Sequence, residues 1–319
     1  MATTPAALPD TRAKFIQRVR TGDPIAHTIT GMAAASILAI TGLLLYHLWA
    51  GSGLPRETFG WSFVTGSAWD PVAEKFGALP FIFGTVVTSI VALLVAVPVG
   101  LGAAIFLAEL APRRASDALT FMIELLAAVP SVIYGLLGIF LLVPFLQTSV
   151  VPALTATLGF LPIFQGQFLG VSIFSASMVL AIMIVPFIVS VSREVLLAVP
   201  QDQREAALAL GSTRWESTWK VVVPYALRGI LGSVFLALAR ALGETMAVTM
   251  VIGNKPQLSS SLLAPGYSIA AVIANEFAEA SSQMHQQVLV ELGLVLFALT
   301  VLINGAARLM IYSYKGAEK

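Results

Sequence analysis

The sequence predicts an all-α polytopic membrane protein with six transmembrane helices and both termini in the cytoplasm. Three observations lead to this fold class. Hydrophobic residues make up 57% of the 319 residues and charged residues only 11%, whereas a soluble domain carries about 45–50% apolar and about 25% charged residues. The chain contains six apolar runs long enough to cross a bilayer. Lys and Arg are distributed unequally between the two sides of these runs.

Each of the six runs reaches the roughly 20 mostly apolar residues that a membrane-spanning helix needs. None alternates polar and apolar residues as a strand of a membrane barrel would. The predicted spans are Thr28–Ala50, Leu79–Leu110, Leu119–Leu146, Phe168–Val191, Tyr225–Ile252 and Val288–Ile311.

The positions of Lys and Arg predict the orientation, because cytoplasmic loops carry an excess of these residues. Arg56, Lys75 and Lys255 fall on one side, Arg240 falls within a span, and every other Lys and Arg falls on the opposite side. The predicted organisation is therefore a cytoplasmic N-terminal segment at 1–26, a first helix and outer loop at 27–78, a core with five spans at 79–312 and a cytoplasmic tail at 313–319. The core includes a long cytoplasmic loop at 192–227.

The uncharged stretch from residue 147 to residue 167 is harder to place. It contains Pro152, Gly159, Pro162 and Gly166, which interrupt helices, and a seventh span would put the two termini on opposite sides. We expect this stretch to be an apolar segment on the outer surface, either interfacial or re-entrant. Two further outer segments, 51–78 and 253–287, are long enough to contact an external partner. Trp61 and Trp69 in the first of them are expected to anchor the chain at the membrane interface.

Several functional classes are not supported by any motif. The chain has no Cys and a formal net charge of only +1, so neither a thiolate metal site nor a nucleic-acid partner is expected. No phosphate-binding G-x-x-x-x-G-K-[ST] loop is present, and the three His residues lack the spacing of metal ligands. We expect no cofactor, metal or catalytic residue in this chain, so any energy for transport must come from an ion gradient or from another subunit.

The cytoplasmic loop at 192–227 has the sequence pattern of two short helices separated by glycine. Pro200 and Asp202 begin the first helix, Gly211 ends it, and Ser212 or Thr213 can cap the second. Pro224 either ends the second helix or leads it into the next span. The first helix would present small residues flanked by charge, which suits either a groove on another protein or the lipid surface, with Trp215 and Trp219 as anchors.

The spacing within this loop resembles the EAA loop of permease subunits of ABC importers. The run Glu205-Ala206-Ala207 is followed after three residues by Gly211, and after nine more by Val221-x-Val223-Pro224. The resemblance implies a type I ABC-importer permease fold. It also implies that the loop couples to a separate ATPase, which binds ATP and Mg, through Glu205, Ala206, Ala207, Leu208, Ala209, Gly211 and Pro224.

The fifth predicted span contains two charged residues, Arg240 and Glu244. Four residues apart on one helix, they would share a face. A charge in mid-membrane costs roughly 2.5–3.5 kcal/mol by insertion scales, so both should face protein or water. The guanidinium fork suits a phosphate-like oxyanion, and Thr245 and Thr249 would continue a polar strip. The alternative from residue chemistry alone is a structural ion pair between helices.

The run from Arg240 to Asn254, together with Asn275-Glu-Phe-Ala-Glu-Ala280, is similar to the PstC-type phosphate permease family over roughly residues 79–312. This resemblance implies that Arg240 and Glu244 take part in phosphate passage. It also implies the partners: a PstA-like sister permease, a PstB-like ATPase dimer and an external PstS-like phosphate-binding protein, in a bacterial-type cytoplasmic (inner) membrane. The alternatives are a permease for molybdate or sulfate, a secondary anion transporter driven by an ion gradient, and a membrane scaffold.

Overall fold

The computed structural model describes residues 23–314 of the chain and the side chains of residues 26–309. Of the predicted cytoplasmic ends, residues 1–22 and 315–319 lie outside the described residues. The first half of the chain forms α1 Asp23–Gly51, α2 Gly53–Phe59, α3 Ser62–Thr65, β1 Trp69–Asp70, β2 Lys75–Phe76, α4 Leu79–Ile105, α5 Arg113–Ala127, α6 Ser131–Leu137, α7 Val143–Phe145 and α8 Val151–Leu158. The second half forms α9 Ile173–Leu197, α10 Gln201–Ala209, α11 Arg214–Ser217, α12 Val223–Leu242, α13 Met246–Val251, α14 Ile269–Glu276 and α15 Gln283–Tyr314.

Several of these helices join end to end through π-helical turns, in which the hydrogen bond closes one residue later than in an α-helix. The joined segments give six helices long and apolar enough to cross a membrane: Ala26–Gly51, Leu79–Leu110, Ser131–Leu158, Ile173–Leu197, Arg214–Leu242 and Gln283–Leu309. The predicted number of spans is confirmed within the described residues. The side on which the termini lie stays a prediction.

The predicted position of the third span is wrong by about three helical turns. The apolar run that begins at Leu119 is divided by Pro130, whose backbone is extended (φ −58°, ψ 139°). Proline disfavours helix in the residue before it, so α5 ends at Ala127 and a new helix begins at Ser131. The prediction that residues 147–167 lie outside the span is wrong for residues 147–158. This part of the chain continues the third span through a π-helical turn at Leu146–Val150, which leads directly into α8.

The fifth membrane-length helix is displaced in the opposite direction. It begins at Arg214, runs through Pro224 by means of a π-helical turn at Thr218–Val222, and ends at Leu242. Of the two roles expected for Pro224, the structure shows the continuation into the span. The fourth membrane-length helix also extends past its predicted end, to Leu197. Residues 198–213 therefore lie between the fourth and fifth spans, whereas the sequence predicted a longer loop at 192–227.

Helix α9 is the centre of the bundle, with most of its residues buried against α4, α12 and α13. Small residues allow the close approach of α4, where the space in front of Gly100 is filled by Ile188 of α9. A buried polar contact ties α9 to α12. The hydroxyl of Ser192 lies 2.7 Å from that of Ser233, and because Ser233 donates to the Ile230 carbonyl, Ser192 is the donor.

The segments before α4 and before α15 form one packed layer at an end of the bundle. The two-stranded antiparallel hairpin pairs Trp69 with Phe76. Trp69 packs edge-on against Phe76 and Phe81, with ring centroids 5.0 and 4.6 Å away, and its expected role as a membrane anchor stays a prediction. Trp61 is 89% exposed. The Trp69 indole donates to the Glu276 carboxylate at 3.1 Å, which joins the hairpin to the end of α14.

Candidate functional site

The fifth membrane-length helix breaks where the charged residues were predicted to share a face. Helix α12 ends at Leu242, Gly243 follows as its cap, and the chain resumes helical structure only at Met246. Arg240 therefore belongs to the last turn of α12, whereas Glu244 lies in the break. The predicted common face is wrong, because the helix that carries Arg240 ends at Leu242, before Glu244.

Glu244 has a local partner other than Arg240. Its Oε1 accepts a hydrogen bond from the Ala247 amide at 3.2 Å, and it thereby satisfies one of the backbone donors left free at the start of α13. Within residues 26–309, whose side chains are described, no ion pair joins it to Arg240. The structural ion pair left open from residue chemistry is therefore not formed in this conformation.

Arg240 is an exposed cation in the last turn of α12, next to the break in the fifth membrane-length helix. Its side chain has no hydrogen-bond or ion-pair partner among the described residues. A guanidinium with all its donors available is suited to bind an oxyanion through two parallel hydrogen bonds.

Thr245 and Thr249 offer an anion fewer hydrogen-bond donors than the predicted polar strip suggested. Thr245 Oγ1 donates to the Gly243 carbonyl at 3.3 Å, and Thr249 Oγ1 donates to the Thr245 carbonyl at 2.7 Å. With these protons engaged, the hydroxyls present acceptor lone pairs, whereas an oxyanion requires donors. Arg240 is therefore the principal donor of the four residues predicted for the substrate path.

A second helix break faces the first one, and the sequence analysis did not identify it. Helix α6 begins just after the break at Pro130 and packs closely on α13. A Cβ added at Gly135 would lie 2.5 Å from Met250 Sδ and 3.2 Å from Ala247 Cα. The Tyr134 hydroxyl spans its own break by donating to the Leu126 carbonyl at 2.8 Å. The proline was visible in the sequence, but nothing in it indicated that the two breaks lie side by side.

The loop predicted at 192–227, called here the coupling loop after the resemblance described above, has the predicted helix–glycine–helix form. Gly211 adopts φ +85°, a conformation that favours glycine. Thr213 caps the second helix in a reciprocal arrangement: its Oγ1 accepts from the Glu216 amide at 3.3 Å, and Glu216 Oε2 accepts from the Thr213 amide at 2.9 Å. In the sequence this was one of two candidate caps.

The residues predicted to contact an ATPase are mostly exposed in this chain. The exposed members are Glu205, Ala206, Leu208, Ala209, Gly211 and Pro224. Ala207 is buried, and its carbonyl accepts from Ser212 Oγ at 2.6 Å. One face of α10 is thus turned to the bundle and the rest of its surface is accessible to a partner. Sequence reasoning missed the residue that holds the inner face, Arg204, although it lies beside the motif.

The two segments predicted to lie outside, 51–78 and 253–287, are joined by an aromatic cluster around Glu276, which accepts a hydrogen bond from the Trp69 indole of the first segment. Glu276 Oε2 lies 3.1 Å from Nε2 of His285, whose ring stacks on Phe76 with centroids 5.5 Å apart. Glu276 is the last residue of α14, which spans Ile269–Glu276. Among residues 26–309, no group of three or more His, Asp or Glu is placed to hold a metal ion.

Comparison with known proteins identifies the class. The model of a family described as binding-protein-dependent transport system inner membrane component matches residues 96–312, and the chain belongs to this family. A chain of the MetNI methionine ABC transporter in an inward-facing conformation has a similar fold, with a TM-score of 0.52 and 17% identity over 73% of this chain and 94% of that chain. The expected type I ABC-importer permease fold is thereby confirmed.

Curated relatives narrow the class further. The phosphate transport system permease protein PstC of Mesorhizobium japonicum is 47% identical over 98% of this chain and 97% of its own length. The proteins of the same name from Xylella fastidiosa and Pasteurella multocida are 47% and 46% identical, over 89% and 91% of this chain and 88% and 91% of their own lengths. Within the inner membrane component family, the chain belongs to the PstC-type permeases.

Proposed function

We propose that this chain is a transmembrane subunit of an ATP-driven importer of inorganic phosphate, and that Arg240 is a transient phosphate contact on the translocation path. The names of the relatives support the substrate. The observation that carries the role of Arg240 is its exposed guanidinium, unpaired among the described residues, at a break in a membrane-length helix. A charge at membrane depth is costly unless it faces protein or water, so an unpaired one is expected to line a polar path.

The chemistry of the break favours passage over tight binding. Arg240 supplies two parallel donors and a full positive charge, while the Thr245 and Thr249 protons are engaged with backbone carbonyls. One cation, without a further side-chain donor among these four residues, is expected to hold a dianion weakly, which allows the ion to leave after each cycle. Glu244 keeps its role as a cap of α13 and limits the net positive charge of the path.

The remaining partners follow from the class of transporter. A PstA-like sister permease completes the path, a PstB-like ATPase dimer binds ATP and Mg and docks on the exposed part of 200–224, and a PstS-like binding protein delivers phosphate to the outer segments. This chain itself catalyses no reaction. Both termini lie in the cytoplasm of a bacterial-type cell, and the complex lies in its inner membrane among lipid.

The test is uptake of radiolabelled phosphate into proteoliposomes that contain this chain, the sister permease and the ATPase, with binding protein outside and ATP inside. Arg240→Ala is expected to abolish uptake while the complex still assembles. Arg240→Lys retains the charge but loses the fork and should be intermediate. Arg114→Ala, an exposed arginine in α5, is the matched control.

Three results would contradict parts of the proposal. Uptake that survives Arg240→Ala would remove Arg240 from the path. Uptake of sulfate or molybdate in place of phosphate would change the substrate. Uptake that needs an ion gradient and proceeds without ATP would replace the importer with a secondary transporter.

A further inference from the structure

Helix α10, the first helix of the coupling loop, is attached to the bundle by few side chains. Of its nine residues, only Arg204 and Ala207 are turned inward, one helical turn apart, and the other seven are exposed. Ala207 offers a single methyl group to the contact. The orientation of α10 relative to the spans therefore depends mainly on Arg204.

The Arg204 guanidinium joins three different parts of the chain. Its Nη2 donates to Glu109 Oε1 at 2.8 Å, and its Nε donates to Glu109 Oε2 at 3.3 Å. Nη2 also donates to the Leu196 carbonyl at 2.8 Å, and Nη1 donates to the Val199 carbonyl. The side chains of Arg204 and Glu109 are only 15% and 10% exposed. The pair is therefore shielded from water and more strongly attractive than a surface pair.

Glu109 reaches this position because of a local irregularity in the second span. Helix α4 changes to a π-helical turn at Phe106–Leu110, and Glu109 lies in that turn. The carbonyls of Leu196 and Val199 lie at the end of α9 and just beyond it. Arg204 thus connects α10 to the ends of both α4 and α9, which form the most extensive helix pair in the bundle.

A cavity of about 300 Å³ lies beside this contact, lined by residues that include Glu109, Arg204, Gln201 and Arg214. The space between α10 and the spans is therefore not filled by apolar packing. Arg204 reaches past this cavity with charge-assisted bonds of fixed geometry, and α10 also packs directly on the π-helical turn Thr218–Val222 of the fifth span.

We propose that the Arg204–Glu109 pair is the mechanical joint through which movement of the coupling helix α10 is transmitted to α4 and α9. Arg204 and Glu109 are positioning residues that touch neither ATP nor phosphate. From α9 the movement reaches α12 through the buried Ser192–Ser233 contact and reaches α13 by direct packing. These two helices flank the break beside Arg240. This inference rests on the proposed function.

The experiment measures ATP hydrolysis and phosphate uptake in the same reconstituted complex. Glu109→Gln keeps the size of the side chain but removes the charge. Arg204→Gln removes the fork. Asp117→Asn and Arg114→Gln change exposed charges on α5 and are the matched controls. Retention of the ATPase on an affinity column reports assembly.

The ratio of phosphate imported to ATP hydrolysed separates a joint from a simple structural contact. Both variants are expected to assemble and to hydrolyse ATP, but to import roughly tenfold less phosphate per ATP, within the range typical of coupling free energies. The double variant should be no worse than Arg204→Gln alone, since the two residues act as one unit. The controls should keep the original ratio.

If Glu109→Gln leaves the ratio of phosphate imported to ATP hydrolysed unchanged, the proposed role of the Arg204–Glu109 pair is refuted, whatever the result for Arg204→Gln. If Arg204→Gln fails to assemble, Glu109→Gln decides the question by itself, because it leaves both backbone contacts of Arg204 in place. A parental complex that imports no phosphate would instead refute the proposed function. The two failures are therefore distinguishable.

Discussion

Gly84 in helix α4 provides a sharp test of how the second span packs on the segment after α13. A Cβ added at Gly84 would overlap the carbonyl oxygen of Tyr267 and lie 2.9 Å from its carbonyl carbon. Both atoms belong to the backbone, so no side-chain rotation relieves the clash. Carbon atoms pack at about 3.5–4.0 Å, and the overlap with the oxygen is larger than that with the carbon, so Gly84→Ala must separate the two segments by roughly 1 Å or more.

The change in the free energy of unfolding caused by Gly84→Ala combines two destabilising effects and one stabilising effect. Overpacking of this kind costs about 1–3 kcal/mol. The separation also weakens the neighbouring bond in which the Ile269 amide donates to Thr85 Oγ1 at 2.9 Å, at a cost of about 1–3 kcal/mol if the buried amide is left unpaired. Replacement of glycine by alanine in a helix returns about 1 kcal/mol. The expected net loss is about 1–5 kcal/mol in the free energy of unfolding, centred near about 3 kcal/mol.

The assay is thermal unfolding of the purified complex in detergent, followed by tryptophan fluorescence, since Trp69 packs against Phe81 in the same layer. At about 2–4 °C per kcal/mol for a chain of this size, Gly84→Ala should lower Tm by roughly 5–15 °C. Gly102→Ala is the control in the same helix, where an added Cβ meets nothing within 4 Å. Equal Tm values for the two variants would refute the packing argument.

Three further predictions concern single hydrogen bonds or protons. Thr85→Val should cost about 1–3 kcal/mol, because it leaves the buried Ile269 amide without its acceptor, whereas Thr85→Ser should remain near the parent in the same thermal assay. Burial raises the pKa of Tyr267 from its usual value of 10 to about 12, against the opposing hydrogen bond from an amide side chain. Its contribution to stability is therefore complete below pH 10 and lost as the pH rises toward 12, and Tyr267→Phe should show a smaller loss in alkaline unfolding measurements. Thr213→Ala removes the cap shared with Glu216 and should lower helix stability by about 1 kcal/mol, seen as about fivefold faster hydrogen exchange at residues 214–217. An unchanged exchange rate, or the same acceleration in Thr213→Ser, would contradict the capping role.

Local signals were sufficient to predict much of the architecture. The apolar runs gave the correct number of membrane-length helices in the described part of the chain, because the length and hydropathy of a span are properties of consecutive residues. The form of the coupling loop followed from Pro200, Gly211 and Thr213, because a helix begins and ends through contacts between residues only a few positions apart. The effect of a proline on a helix was predicted less well from local sequence. Pro130 breaks a helix, whereas Pro224 and Pro152 are carried within spans near π-helical turns.

The substrate path could be predicted only in part. Arg240 was identified correctly as an unusual charge in a span, and the structure shows it exposed without a described partner. The prediction that it shares a helical face with Glu244 was wrong, since a spacing of four places two residues on one face only while the helix continues, and α12 ends between them. The packing of α13 against α6, where Gly135 meets Ala247 and Met250, joins segments that are remote in sequence.

The sequence by itself determined the class of protein, the number of spans and the motif that defines the coupling loop, because these depend on composition and short spacings. The tertiary structure alone decided which residues meet across the bundle. Arg204 and Glu109 contact each other although they lie 95 residues apart, and Gly84 contacts Tyr267, which is still more distant in sequence. No periodicity links such positions: they meet only because helices and loops from distant parts of the chain pack together.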